Sequence, residues 1–307
     1  MTARRPLRFV AIVALTCAVL LPLSGSAPAP KAGGAVNVSQ RSHGLPATGG
    51  VDSLTGSKLK AVAVDVPAVG NDISWPQCPE GTGIPSRRGQ GQPMPPASAQ
   101  FVVIGLTNGP AFFPNPCLAS QTAWAKAHHV YTATYAMTTY PTSGQLATYG
   151  SKGPYVGNSA AAKLANTGYA QAQFNVASMR KAGLVSPFMW VDVEPYPVAP
   201  WSASITANKS VVDGALRGYR AAGFKVGLYS TVGAWPQVLG SARYGLPEWR
   251  TAGPRAKSVA LGRCVSSQSF QGGPAVLAQW WTPTTDHDLT CPVANTRSVL
   301  AAYFHKY

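Results

Sequence analysis

Acidic side chains are scarce in this chain. Ten Asp and Glu stand against 25 Lys and Arg, a formal net charge of +15 over 307 residues. With so few acids, the placement of each one needs a physical reason. Other absences narrow the function classes. No CxxC and no Cys/His cluster has the spacing of a zinc site, and no two histidines have metal-ligand helical spacing. Neither a metal nor another cofactor is expected. The apolar run "FVAIVALTCAVLLPL" (9–23) has 15 residues, short of the roughly 20 that a membrane span requires. After the first strand candidate comes "WPQCPEGTG", which is not a glycine-rich phosphate loop. That counts against a doubly wound open sheet, the second-best fold reading.

What is present begins with an export signal. Arg4, Arg5 and Arg8 precede the apolar run, and the small residues "SGSA" follow it, the order of a secretory signal over residues 1–26. An uncleaved anchor is the alternative. Cleavage would remove three arginines and leave +12. Lys and Arg are scattered, and export argues against a nucleic-acid partner. A basic secreted protein is expected to be drawn to an anionic surface such as a bacterial wall, with plain solubility as the bland alternative. Residues 27–66, rich in Ala, Pro, Gly, Ser and Val, read as a flexible linker. Residues 67–307 read as one monomeric domain without membrane insertion. Cys17 lies in the signal, which leaves an even set of Cys78, Cys117, Cys264 and Cys291. Of three possible pairings, Cys78–Cys117 and Cys264–Cys291 join neighbouring elements and are preferred.

From about residue 70, short β-like runs alternate with helical patterns. The runs are "NDISW" (71–75), "FVVIGLT" (101–107), "VYTATYAMT" (130–138), "PFMWVDVE" (187–194), "KVGLYST" (225–231), "PEWRT" (247–251), "AVLAQWW" (275–281) and "HDLT" (287–290). Helices are expected at about 118–128, 159–183 and 206–222. Alternation of this kind implies parallel pairing, and eight strands suit a (β/α)₈ TIM-type barrel, irregular in its last β/α units.

The acids fall into this frame. Side chains alternate along a strand, so Trp190, Asp192 and Glu194 share one face and Met189, Val191 and Val193 the other. The first face points into the barrel, with both acids at the C-terminal rim, where barrel enzymes carry their chemistry. Residues two apart on a strand lie about 6.6 Å from each other, so both carboxyls can act on one substrate. Their mutual repulsion should keep one protonated as a general acid. Asp72 on the first strand and Asp286 and Asp288 at the eighth would join them, gathering five of the ten acids at one opening. Tryptophans at strand ends, among them Trp75, Trp190, Trp249 and Trp280, offer faces for sugar rings. Tyr135 and Tyr229 could bond substrate hydroxyls.

Together these motifs resemble glycoside hydrolase family 25, the lysozyme-type muramidases, over about residues 70–292. "DISWPQ" is similar to the family's first-strand Asp-Val-Ser, and "WVDVE" to its fourth-strand Asp-x-Glu. "GLYST", "LAQWW" and "HDLT" are similar to its tyrosine, Trp-Gln-Tyr and Val-Asp-Leu-Asn motifs. The resemblance implies a general acid at Glu194, its electrostatic partner at Asp192, and substrate-positioning carboxylates at Asp72 and Asp288, with Gln279 among the substrate contacts. The chain departs from the family at "GLT" (105–107) and "TYAM" (134–137), in place of Lys-Ala-Thr and Tyr-His-Phe. The expected activity is cleavage of β-1,4 bonds in peptidoglycan or a related polysaccharide, secreted and wall-associated. A non-catalytic glycan-binding module on the same barrel, and a glycosidase or transglycosylase of another polysaccharide, are the alternatives.

Overall fold

The computed structural model describes residues 66–195, 199–292 and 296–307. The expected signal (1–26) and all but the last residue of the expected linker (27–66) lie outside the described residues. The rest is a barrel. Its strands are Val69–Ile73 (β1), Phe101–Gly105 (β2), Tyr131–Met137 (β3), Phe188–Asp192 (β4), Lys225–Ser230 (β5), Glu248–Thr251 (β6), Ala275–Thr282 (β7) and Thr285–Thr290 (β8). The hydrogen-bonded order runs from β3 through β2, β1, β8, β7, β6 and β5 to β4, and β4 pairs with β3 to close the ring. Every expected strand is present. β2 and β4 are buried along their whole length, as parallel strands covered on both faces must be.

Helices Leu118–Ala127 (α1), Ser143–Tyr149 (α2), Ala160–Lys181 (α3), Ile205–Ala221 (α4), Trp235–Leu239 (α5) and Lys257–Gly262 (α6) fill the crossovers. The three expected helices are α1, α3 and α4. Ser159 and Ser204 cap α3 and α4 by accepting from the amides of Ala162 and Ala207. Gly183 and Gly223, with φ of 63° and 97°, end them.

The irregularity falls at β8, which runs antiparallel to both β1 and β7. Only Pro283 and Thr284 separate β7 from β8, and a parallel return needs a crossover of a dozen residues or more. Asp286 therefore lies opposite Asp72, and Asp288 lies opposite Gly70, closer to the start of β1.

Alternation places Phe188 and Trp190 inside the barrel with Phe101, Val103 and Trp249. Met189, Val191 and Val193 pack outward with residues of α3 and α4. A helix not expected from the sequence, Thr296–Tyr303 (α7), plugs the barrel where the strands begin. Phe304 meets Phe101 at 4.9 Å between ring centroids, and Tyr303 stacks near Trp190 at 6.1 Å. His305–Lys306 (β9) then pairs with the start of β3. The interior is thus aromatic from the plug upward and acidic only at the top.

Both preferred disulfides form, Cys78–Cys117 and Cys264–Cys291. Cys264 lies just after α6 rather than on β7, so the second bridge ties that loop to the end of β8. Among the described residues no helix is long and apolar enough to cross a membrane.

Candidate active site

At the C-terminal ends of the strands lies a cavity of about 420 Å³. Its wall includes Asp72 from β1, Tyr135 and Met137 from β3, Asp192 and Glu194 at the end of β4, Tyr229 from β5, Trp249 from β6, Gln279 and Trp281 from β7, and Asp286 from β8. Trp75 and Arg87 form part of the rim, the guanidinium 5.7 Å from the indole centroid.

Asp192 is the last residue of β4 and is buried. The ladder runs one residue further, because the Val193 amide donates to the Tyr229 carbonyl at 3.0 Å. Glu194 follows, half-buried at the rim. Its carbonyl accepts from Trp201 Nε1 at 2.9 Å, which fixes the backbone from which the carboxyl projects. Burial raises the Glu194 pKa to about 7. Burial also leads the upward shift of Asp192, with the charges of Glu194 and Asp72 adding to it. Asp192 Oδ1 is buried with no protein donor. Desolvation thus outweighs the like-charge repulsion expected from the sequence.

Asp72 accepts from Gln279 Nε2 at 2.7 Å, and Gln279 in turn accepts from the Tyr229 hydroxyl at 2.9 Å. Asp288 accepts from Trp249 Nε1 at 2.8 Å and lies within hydrogen-bonding reach of Asp72. Its Oδ2 is buried with no donor from the protein. Burial raises both, Asp288 to about 8. Burial, with Asp72 nearby, raises Asp286 to about 8 as well. Burial thus shifts all five carboxyls toward their protonated forms.

The expected residues do not all reach the wall. Trp75, Tyr135, Tyr229, Trp249 and Gln279 do. Trp190 does not: it is wholly buried beneath the floor, between Phe188 and Trp249. Trp280 is also displaced, because alternation turns it outward onto His287, with ring centroids 5.1 Å apart. Trp281, 39% exposed, stands on the wall in its place. Asp288 lies under the wall rather than on it, and the reversal of β8 brings Asp286 to the surface instead. Asp286 was visible in "DHDL", but only the strand's direction ranks the two acids by depth.

Where the resemblance would put a lysine, Gly105 leaves a space. A Cβ there would lie 2.7 Å from the Tyr135 ring and 2.8 Å from Ser74 Cβ. The tyrosine ring occupies that volume.

The strand ends of this α/β barrel gather carboxylates beside aromatic rings around one cavity. The family model described as Lysozyme-like protein 1 matches residues 121–249. A stretch of 55 residues is 42% identical to the probable GH family 25 lysozyme 5 of Dictyostelium discoideum; it covers 18% of this chain and a quarter of that protein. A muramidase structure from Acremonium alcalophilum aligns over 76% of this chain and 98% of its own at 15% identity, with a TM-score of 0.48. The modular autolysin LytC of Streptococcus pneumoniae, in complex with a synthetic peptidoglycan ligand, aligns over 73% of this chain and 46% of its own, at 11% identity and a TM-score of 0.42. Over residues 121–249, from α1 to β6, the chain is similar to that lysozyme-like family.

Proposed function

We propose that this chain is a secreted muramidase-like glycoside hydrolase that cleaves β-1,4 bonds of peptidoglycan. The observation that carries the reading is Glu194: a half-buried carboxyl at the rim of an aromatic-walled cavity, with a pKa of about 7. Such a group is protonated often enough near neutrality to protonate a leaving oxygen, and it loses the proton readily enough to complete the transfer. Asp192, deeper and beside it, stabilises the positive charge that develops on the sugar. By the family resemblance, the substrate's own N-acetyl group attacks the anomeric carbon. Asp72, steadied by Gln279 and Tyr229, orients the ring, and Asp288, bonded to Trp249, lies beneath it. Trp75 and Trp281 supply apolar faces for neighbouring sugars. The domain reading accompanies this: residues 1–26 direct export, 27–66 form a linker, and the barrel acts alone at the wall without nucleic-acid or membrane partners.

The second reading, a glycan-binding module without turnover, is favoured by one observation. At "GLT" (105–107), where the resemblance would put a lysine, Gly105 packs against the Tyr135 ring instead. The Glu194→Gln variant separates the two. It keeps shape but cannot deliver a proton, and loss of general acid catalysis typically costs ~10²–10⁴ in rate. The variant should still sediment with peptidoglycan while releasing few reducing ends. Wild-type protein that binds but releases none at any pH would establish the module, and full activity in the variant would move the acid elsewhere.

A further inference from the structure

The acids of the barrel are segregated. Five line or underlie the cavity. Glu248 is fully buried against Arg250, with 2.6 Å between Oε2 and Nε. Asp213 is engaged by Lys209 at 2.6 Å and by the Tyr244 hydroxyl at 2.8 Å. Of the described acids, that leaves Glu80, in the loop after β1.

Cations collect at the opposite end. Each crossover helix runs back against its strand, so α1, α3 and α4 finish where the neighbouring strands β3, β4 and β5 begin. Lys126 ends α1, Arg180 and Lys181 end α3, and Arg220 ends α4. Lys225 opens β5, and Lys306 of β9 pairs with Tyr131 at the start of β3. All six are exposed. The three strands are neighbours in the barrel, so these charges gather on one side of its N-terminal end. Lys126 Nζ sits 5.5 Å from the Tyr307 ring centroid and Lys306 Nζ 4.8 Å from that of Tyr131. Those rings hold the ammonium groups without neutralising them. The Tyr307 hydroxyl accepts from the Val185 amide at 2.7 Å, tying the tail to the turn that follows α3. None of the six forms an ion pair with a described acid. Helix dipoles favour cations at helix ends, but Lys225 and Lys306 stand on strands, where that stabilisation is absent.

We propose that this face docks a linear phosphodiester polymer of the bacterial wall, an inference that rests on the wall-acting reading above. A glycan strand in the cavity lies at the far end of the barrel, so it cannot also cover this patch. Whatever occupies it is a second chain. Phosphodiesters stay fully charged at every pH at which the cavity works, and they repeat along a polymer as the lysines and arginines repeat across the strand starts. Charge segregation then orients the molecule: the polymer meets the cationic end and leaves the acidic mouth open to glycan.

The test uses the full chain and two wall preparations, one with its phosphodiester polymers intact and one stripped of them by hydrofluoric acid. Wild-type protein should sediment at least about tenfold more weakly with stripped wall, and its binding to intact wall should fall steeply with salt. Lys181→Gln/Arg220→Gln/Lys225→Gln should lose a similar factor on intact wall and little on stripped wall. Lys152→Gln/Arg255→Gln/Lys257→Gln, which removes the same charge elsewhere, should lose much less. Both variants should release reducing ends from a soluble peptidoglycan oligomer at the wild-type rate. Equal binding to both walls, or equal losses in the two variants, would overturn the docking face. If the binding pattern holds while no protein cleaves the oligomer, the docking face stands and the hydrolase reading fails.

Discussion

Asp192 and Glu194 differ in depth by two residues of chain, and that difference assigns their work. Glu194 sits at the rim and is raised to about 7 by burial; Asp192 lies below it, raised by burial and then by the charges of Glu194 and Asp72. If Glu194 acts as the acid, activity should fall as pH rises through about 7. Asp192→Asn removes a neighbouring negative charge, so the alkaline limb should move to lower pH. Because burial leads the shift, the limb should stop short of the ordinary Glu value of about 4.3. A pH profile of kcat on a soluble oligomer measures this, and an unmoved limb would mean that Asp192 carries no charge in the working enzyme. Asp286 calls for a different readout. It stands on the wall, opposite Asp72 across the strand pair, where it can accept from a sugar hydroxyl without entering the proton transfer. Asp286→Asn should therefore raise KM several-fold and leave kcat nearly unchanged. A fall in kcat of about 10² or more, the mark of lost acid–base catalysis, would place Asp286 in the proton transfer instead.

Elements set these depths, and here packing adds what residue patterns omit. α3 and α4 touch through reciprocal glycines. A Cβ on Gly168 would overlap the Val211 carbonyl, and one on Gly214 would overlap the Ala165 carbonyl. Gly168→Val should force the pair apart and cost about 1–3 kcal/mol or more in denaturant unfolding; a smaller loss would mean that the helices slide at little cost. The Cys264–Cys291 bridge closes a loop with a sequence separation of 27. Replacing both cysteines with Ala should remove roughly 2–4 kcal/mol. The strands were legible in the sequence because buried parallel strands read as apolar runs, and the inward set at Phe188, Trp190 and Asp192 because alternation allows no other. Depth along the barrel was not legible. Alternation turns Trp190 inward without saying that α7 would rise beneath it and leave it under the floor. The direction of β8 was hidden for a related reason. Its first residues, "TDH", are polar and carry no apolar alternation, so the sequence marks the strand only from His287 and the two-residue hairpin that forces reversal reads as a longer loop. The plug itself, "TRSVLAAY", lies beyond the last recognisable motif and spans barely two helical turns.

At the scale of the whole molecule, a protein with few acids has concentrated them where water is excluded, and its stability should depend on pH in an unusual direction. Asp72, Asp192, Glu194, Asp286 and Asp288 all have raised pKa values, with burial as the leading cause. In the unfolded chain they titrate near 4. Between about pH 4 and the folded values, which reach about 7 for Glu194 and about 8 for Asp286 and Asp288, the native state binds more protons than the unfolded one. Stability then falls as pH rises. Their contribution is fully present below about pH 4 and is lost as pH climbs through about 8, the reverse of a protein whose carboxylates are salt-bridged. Surface repulsion opposes this trend, since a strongly cationic chain gains positive charge in acid. That repulsion acts between exposed groups and is screened by salt, whereas the cost of ionising a buried carboxyl is not. In 0.5 M salt, therefore, thermal midpoints should decline steadily from about pH 4.5 to 8.5. Asp286→Asn removes one of the titrating groups and lowers the repulsion on Asp288, so the decline should be shallower and the variant should melt above wild type at pH 8. Midpoints that rise over this range, or a variant that melts below wild type at pH 8, would mean that the carboxyls of the cavity are solvated and ionised rather than desolvated and protonated.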